Sequence, residues 1–276
     1  MSFLQIVFDV SLFLKQDEEI LVAHLLNYGF DSFEHKEKHL HAYIVSEGFN
    51  ISSLETYLSN YLDISVLSVN QLEEKNWNVI WESSFDPVFV NDNCVVRAPF
   101  HDVEFNCQFD IIISPKMAFG TGHHATTLLM MRTMLSSIVI SKSVLDIGTG
   151  TGVLSILASK MGAQIVHAID IDDYSYANSR ENISLNNCNN IIVHHTNITN
   201  FNNHNLFDII LANINRNVLL SELNQYVVCL SENGILMLSG FLDSDLPLIH
   251  GMALDLGLKF KLKNEEKKWQ CLVYTK

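Results

Sequence analysis

The feature that most constrains the fold is a glycine-rich turn between a predicted buried strand and a predicted helix. The apolar run SVLDI (143–147) leads into GTGTG (148–152), and helical spacing of apolar residues continues to about residue 161. Glycines lack a Cβ atom, so a ligand can approach the backbone, and a helix N-terminus offers free N–H groups. The turn therefore predicts a ligand site where a strand of an α/β fold ends.

Strands and helices alternate through the rest of the sequence. The pattern predicts strand 164–170, helix 173–186, strand 190–195, strand 207–213, helix 216–230, strand 234–240 and helix 244–256, with a further helix over 128–140 before the turn. Such alternation is typical of a parallel sheet with helices on both faces. Residues 258–275 form two β-rich stretches around a charged turn, which predicts a hairpin that adds a reversed strand at the sheet edge.

The first 72 residues follow a different order, β-α-β-β-α-β. Strands are predicted at 3–9, 30–35, 39–46 and 64–70, and helices at 17–28 and 51–61. This order is that of the ferredoxin-like fold, which hosts many functions and by itself names none. A length of 276 residues also favours two domains. We therefore predict a small α+β domain over 1–72, a connector with short strands over 73–112, and an α/β domain over 113–276.

Composition argues against several classes of protein. Hydrophobic residues make up 48% of the chain, but no apolar run reaches the roughly 18 residues of a membrane helix, and the first residues lack a signal-peptide pattern. We therefore expect a cytoplasmic protein with no membrane contact. The five cysteines are scattered without Cys-x-x-Cys spacing, and neither histidine doublet has the spacing of a zinc hydrolase. Metal chemistry is not expected.

Negative charge is concentrated at the front of the chain. Residues 1–110 hold 18 acidic and 5 basic residues, whereas 111–276 hold 13 and 12, so nearly all of the net charge of −14 lies in the first part. Such a region repels phosphate backbones, and direct nucleic-acid binding is not expected there. It would attract a basic macromolecule. The plain alternative is an acidic surface that serves solubility.

The residues around the turn discriminate between two cofactors. Asp170 lies 22 residues beyond Gly148, at the end of the next predicted strand, where a carboxylate can accept the hydroxyls of a ribose. Dinucleotide binders prefer Gly-x-Gly-x-x-Gly, but position 153 is Val153. The observed spacing is Gly-x-Gly-x-Gly with Asp146 just before it, as in methyltransferases that bind S-adenosylmethionine. The terminal hairpin fits the same class.

The segment MAFGTGHHATT (117–127) makes the resemblance specific. Together with VLDIGTGTG, AIDID (168–172), LANI (211–214), Ser239–Gly240 and Trp269, it resembles the ribosomal protein methyltransferase A family. The resemblance implies a seven-stranded Rossmann-like class I methyltransferase domain preceded by a ferredoxin-like substrate-recognition domain. It also implies methyl transfer from S-adenosylmethionine to lysine side chains and the N-terminal amine of large-subunit ribosomal protein L-eleven (L11), a basic protein.

The resemblance also assigns roles to individual residues. Asn213 is expected beside the reacting methyl group, where its amide oxygen can accept a hydrogen bond from an amine; the alternative is a cap for the following helix. His124 is either a base or a residue that fixes its loop, and Trp269 is expected in the core. The family often has leucine where this chain has Asn215. The residues expected to contact the cofactor are Asp146, Gly148, Gly150, Gly152, Asp170, Asn197, Asn213, Thr127, Phe119, Gly120, Thr121, Gly122 and His124.

Other functions remain open on the sequence alone. An RNA or small-molecule methyltransferase could use the same fold, although no basic face is evident. A catalytically inactive cofactor-binding module for ribosome assembly is a second alternative, against which the intact loop, Asp170 and Asn213 argue. A nicotinamide dehydrogenase is the third alternative, and it is disfavoured because Val153 stands where dinucleotide binders have a glycine.

Overall fold

In the computed structural model, the described residues form three sheets, which are divided between two parts of the chain. It describes residues 3–62, 64–71, 85–101, 103, 105–116, 118–201 and 206–276. Contacts divide the chain into two compact units, Met1–Ser83 and Ser84–Lys276. Of the predicted connector over 73–112, residues 73–84, 102 and 104 lie outside the described residues, as does Met117 of the MAFGTGHHATT segment. The strands of the remaining connector belong to the second unit.

The first unit has the ferredoxin-like order predicted for it. Its elements are β1 (Phe3–Asp9), α1 (Lys15–Tyr28), β2 (Ser32–Lys36), β3 (His39–Val45), α2 (Ile51–Leu58) and β4 (Val66–Gln71). The strands lie in the order β2-β3-β1-β4, and every neighbouring pair is antiparallel. The split βαβ arrangement is thus confirmed.

Apolar side chains from one face of this sheet pack against both helices. Ile6 and Phe8 of β1 are fully buried with Leu21 and Leu25 of α1 and with Leu54 of α2. α1 ends where predicted, because Gly29 adopts the left-handed conformation that stops a helix (φ +115°).

The second unit begins with a small sheet and continues into the alternating pattern. Its elements are β5 (Val88–Val90), β6 (Cys94–Arg97), β7 (Phe109–Ile112), α3 (Ala125–Leu135), β8 (Ser143–Ile147), α4 (Val153–Lys160), β9 (Ile165–Asp170), α5 (Asp173–Leu185), β10 (Ile191–His195), β11 (Phe207–Asn213), α6 (Arg216–Cys229), β12 (Leu230–Leu242), a 3₁₀ helix (Asp243–Asp245), α7 (Leu246–Asp255), β13 (Lys259–Glu266) and β14 (Trp269–Thr275). Strands β5, β6 and β7 form a separate three-stranded sheet.

The large sheet has seven strands in the order β10-β9-β8-β11-β12-β14-β13. Strands β10, β9, β8, β11 and β12 run parallel, and β14 is antiparallel to both of its neighbours. The prediction of a reversed strand at the edge was wrong, because β14 lies inside the sheet and β13 forms the edge. Burial explains this order: residues 270–274 of β14 are all buried, whereas residues 259–263 of β13 are exposed and include three lysines. Lysine-rich strands suit an edge, where they discourage pairing with other chains.

Helices cover both faces of the large sheet, as the alternation predicted. One buried cluster includes residues of α3, α4 and α5, and a second, on the opposite face, includes residues of α6 and α7. Strands β8 and β11 are neighbours at the point where the strand order reverses, so their carboxyl ends leave a crevice between the connections. The predicted ligand site is therefore at a topological switch point.

None of the described helices combines the length and apolar character needed to cross a membrane.

Candidate active site

The carboxyl ends of the central strands open into a cavity of about 520 Å³ within the second unit. This volume is in the range of small-molecule and cofactor sites. Seven of the predicted site residues line it: Phe119, His124, Gly148, Gly150, Asp170, Asn197 and Asn213. Six others are not on its wall: Thr127, Asp146, Gly120, Thr121, Gly122 and Gly152.

The glycine turn lines the cavity, and larger residues cannot replace its glycines. Gly148 (φ +68°) and Gly150 (φ +57°) both have left-handed backbone conformations. A Cβ atom at Gly150 would lie 2.2 Å from the carbonyl oxygen of Phe119, a backbone atom that cannot move aside. Gly152 serves a different purpose, because it caps α4 and packs against Ser179 of α5. The turn therefore presents backbone without side chains at the cavity wall.

Asp170 is held in one orientation at the end of β9. One carboxylate oxygen accepts a hydrogen bond from the backbone N–H of Gly150 (2.9 Å), and the other accepts from that of Asp172 (3.0 Å). Each oxygen keeps a further lone pair that can accept a hydrogen bond from a ligand hydroxyl. The carboxylate thus ties the end of β9 to the glycine turn and remains available on the cavity wall.

Asp146 lies behind the turn instead of on the cavity wall. It is buried, and its Oδ2 atom accepts hydrogen bonds from the hydroxyls of Thr149 (2.7 Å) and Ser155 (2.6 Å). Burial raises the pKa of Asp146 from its ordinary value of 3.8 to about 6. Its contacts support the shape of the turn from the side opposite the ligand.

Asn213, at the end of β11, presents a buried acceptor without a partner. Its Oδ1 atom is buried and receives no hydrogen bond from the described residues, although the residue lines the cavity. The alternative that Asn213 caps the next helix was wrong, since the cap is Asn215, whose Oδ1 accepts from the N–H of Val218 (3.2 Å). A buried amide oxygen without a donor is costly unless a ligand supplies one.

The segment 118–124 lies against the glycine turn. The backbone N–H of Thr151 donates to the carbonyl oxygen of Phe119 (2.9 Å), and the Thr151 hydroxyl donates to that of Gly120 (2.6 Å). Phe119 remains 56% exposed and lines the cavity, so its ring is free to contact a ligand. Gly120, Thr121 and Gly122 shape this segment without reaching the cavity wall.

His124 caps α3, and this contact defines the tautomer of the neutral ring. Its Nδ1 atom accepts a hydrogen bond from the backbone N–H of Thr126 (3.3 Å), so Nδ1 is unprotonated and the neutral ring carries its proton on Nε2. The cap also explains why α3 spans Ala125–Leu135 and begins earlier than the predicted 128–140. The imidazole therefore caps α3, and the same residue lines the cavity.

Two further predicted residues lie close to this cap. Thr127 is fully buried in α3, and its hydroxyl has no hydrogen-bond partner among the described residues. Trp269, predicted as a core residue, packs against the core of this face and also lines the cavity. Its ring meets that of His124 edge to face at 4.9 Å.

Several residues on the cavity wall were missed by the sequence analysis. They are Thr126, Ile147, Ile169, Ile171, Ser175, Thr196, Ile198, Ile214, Asn215, Val218, Glu222 and Gly240. Most follow or precede the end of a strand, and this position was the signal that could have found them. Val218 and Glu222 lie on α6 and carry no such signal. Across the described ranges, no three His, Cys, Asp or Glu side chains are grouped as metal ligands would be.

Comparison with known proteins identifies the family. Residues 14–276 match the family described as "Ribosomal protein L11 methyltransferase (PrmA)". A ribosomal protein L11 methyltransferase of Bacteroides fragilis is 38% identical over 280 residues, covering 100% of both chains. The corresponding protein of Porphyromonas gingivalis is 40% identical over 266 residues, which cover 95% of this chain and 92% of that protein.

A solved structure agrees with these relatives. The crystal structure of a ribosomal protein L11 methylase from Lactobacillus delbrueckii subsp. bulgaricus superposes with a TM-score of 0.65 at 31% identity, covering 69% of this chain and 98% of the other. The family match spans nearly the whole sequence and the relatives match it from end to end. The chain therefore belongs to the ribosomal protein L11 methyltransferase (PrmA) family and is an S-adenosylmethionine-dependent protein methyltransferase.

Proposed function

We propose that this enzyme methylates amines of ribosomal protein L11, both lysine side chains and the N-terminal amine, in the cytoplasm where ribosomal proteins are made. The observation that carries the proposal is the buried Oδ1 atom of Asn213, a residue of the cavity wall, which receives no hydrogen bond from the part of the chain that the structure describes. An amine is a donor that this acceptor can bind and orient. The family and its relatives, all named for L11, support the choice of substrate.

The residues of the cavity fit S-adenosylmethionine. The backbone of Gly148 and Gly150 lines the cavity without side chains, so a ligand can approach it closely, and the fixed carboxylate of Asp170 suits the two hydroxyls of a ribose. Phe119 and Trp269 offer aromatic surface to the rest of the molecule. When bound, S-adenosylmethionine supplies an electrophilic methyl group on a sulfonium.

The protein's part in the reaction is to select and align a neutral amine. A lysine has a pKa near 10.4, so neutralising it at pH 7 costs about 4.6 kcal/mol. Desolvation in a largely apolar cavity lowers this cost because it disfavours the charged form. Asn213 Oδ1 then holds one N–H of the amine, which directs the nitrogen lone pair into the cavity. A lysine amine can lose its proton to water before it binds, so no dedicated base is required.

Substrate recruitment is assigned to the acidic front of the chain. Residues 1–110 carry a net charge of −13, and ribosomal proteins are generally basic. Complementary charge raises the rate of encounter and orients the partners. We assign recognition of L11 to the ferredoxin-like domain over 1–72, which carries a net charge of −7, and methyl transfer to the domain over 113–276.

The proposal is tested by intact-mass measurement of L11 after incubation with the enzyme and S-adenosylmethionine, with ribosomal RNA assayed in parallel. We expect mass steps of one methyl group each on the protein. Asp170→Ala should abolish them, whereas Asp173→Ala, whose side chain is 89% exposed, should not. Methyl transfer to RNA alone would mean that RNA, and not L11, is the substrate. No transfer to either would mean that the protein binds the cofactor without catalysis.

A further inference from the structure

We propose that Glu222 is the residue that selects adenine in the cofactor, because its carboxylate accepts a hydrogen bond from the exocyclic amine of the base. The sequence gives no indication of this role, since Glu222 lies nine residues beyond the end of β11, on α6. The inference rests on the proposed function, in which S-adenosylmethionine occupies the cavity.

The base must lie in the part of the cavity beyond Asp170. In S-adenosylmethionine the ribose joins the base to the sulfonium, so a ribose at Asp170 and a methyl group at Asn213 leave the base on the far side of Asp170. That part of the wall is formed by residues that follow β9 and β10, namely Ile171, Thr196, Asn197 and Ile198. Ile171 is 70% exposed although it faces the cavity, which leaves apolar surface for a flat ring.

Helix α6 lies alongside the same segment. The hydroxyl of Thr199, two residues after Asn197, donates to the side-chain oxygen of Gln225 on α6 (3.0 Å). Glu222 is one turn before Gln225, and Val218 is one turn earlier still; both line the cavity. Glu222 therefore lines the cavity close to the residues that follow β10.

The carboxylate of Glu222 has acceptor capacity that the protein does not use. Its Oε2 atom accepts a hydrogen bond from the hydroxyl of Tyr226 (2.8 Å), and no other donor or cation among the described residues pairs with it. Burial, and secondarily the Glu222 carboxylate, raise the pKa of Tyr226, so the phenol stays protonated and remains the donor. The second carboxylate oxygen is left for a ligand.

Asn197 supplies the complementary group. Its Oδ1 atom accepts from the backbone N–H of Asn200 (2.9 Å), which leaves the NH₂ group of the amide free to donate. Glu222 and Asn197 thus present one acceptor and one donor to the base. Adenine has the matching pattern, an exocyclic amine that donates and a ring nitrogen that accepts. A 6-oxopurine has the reverse pattern and would place its carbonyl oxygen against the carboxylate.

The test compares binding of S-adenosylhomocysteine and S-inosylhomocysteine by calorimetry, with no methyl transfer involved. The wild-type protein should bind the adenine compound more tightly, by roughly tenfold to a hundredfold, as expected for one hydrogen bond to a charged group. Glu222→Gln keeps an acceptor for Tyr226 but adds a donor for the carbonyl oxygen of the 6-oxopurine. The ratio of the two affinities should therefore fall by roughly tenfold. Glu232→Gln, an exposed site on β12, should leave the ratio unchanged.

Three results would count against the proposal in different ways. Equal binding of both compounds to the wild-type protein would remove adenine selection altogether. An unchanged ratio in Glu222→Gln would assign the selection to other residues and overturn the role of Glu222. Failure of the wild-type protein to bind either compound would instead overturn the cofactor assignment on which the inference depends.

Discussion

Asn213 is the side chain on which the proposed alignment of the amine depends. Replacing it by alanine removes the acceptor, and a misaligned amine should lower kcat by about 100-fold. Asn213→Asp retains a side-chain acceptor at the same position and should keep more activity than the alanine variant. Methylation of L11 measured under single-turnover conditions, with S-adenosylhomocysteine affinity measured separately, checks this. A kcat for Asn213→Ala close to wild type would contradict the assignment.

Asp146 should make stability depend on pH in an uncommon direction. The pKa of Asp146 is about 6 in the folded protein and near 3.8 in the unfolded chain, so between these values the folded state binds the extra proton. Stability therefore falls as pH rises from about 4 to about 6, and above that the ionised, buried carboxylate costs about 3 kcal/mol.

The variant Asp146→Asn is a direct check, because its amide oxygen can still accept from Thr149 and Ser155. The stability advantage of this variant over wild type should therefore grow by about 2 kcal/mol in free energy of unfolding between pH 4 and pH 7. Urea unfolding at both pH values measures the gain. If the free energy of unfolding has the same pH dependence in wild type and variant, the pKa of Asp146 is not raised in the folded protein.

Residues at strand ends could be predicted from the sequence, whereas those on helices could not. Gly148, Asp170 and Asn213 each end a strand or follow one directly, and parallel strands bring these ends to one edge. Glu222 could not be found in this way, because its place depends on the path of the chain after β10. Thr127 matched a family motif, yet the structure places it inside α3 and off the cavity wall.

At the level of elements, the residue that caps α3, His124, also lines the cavity. The His124 ring accepts from the Thr126 N–H and also contacts Phe119 and Trp269. Loss of the cap in His124→Ala should destabilise the protein by about 1 kcal/mol. Asparagine is a good cap, so His124→Asn should be as stable as the wild-type protein. It should also methylate L11 faster than His124→Ala does. Thermal unfolding and initial rates measure both; equal rate losses in the two variants would favour a chemical role for the imidazole.

Most elements of the α/β part could be predicted because their pattern is local. Strand 207–213 was found with its observed limits, since its apolar run 209–212 lies between Asp208 and Asn213. The position of β14 could not be predicted, because a hairpin has the same local pattern at an edge or inside a sheet. That choice is made by packing: residues 271 and 273 of β14 meet the core on one face, and 272 and 274 on the other.

For the whole molecule, the uneven charge should govern the encounter with substrate. We expect KM for L11 to rise with salt while kcat changes little, because salt screens attraction before binding. Neutralising three exposed acids of the first unit, with Glu19→Gln, Glu47→Gln and Glu55→Gln, should raise KM at low salt and weaken its salt dependence.

A matched control changes the same charge in the second unit. The exposed set Glu232→Gln, Asp243→Asn and Asp255→Asn should alter KM less than the first-unit set. Equal effects would mean that net charge, and not its location, governs the encounter. A KM independent of salt in the wild-type protein would remove electrostatic recruitment altogether.

The contact between Trp269 and His124 gives the enzyme a built-in optical reporter. Indole emission responds to the polarity and to the aromatic groups around the ring, and Trp269 lies on the cavity wall. The chain has three tryptophans, so a variant with Trp77→Phe and Trp81→Phe would leave a single indole at the cavity. Fluorescence of that variant would then follow entry of a ligand in real time, without a label.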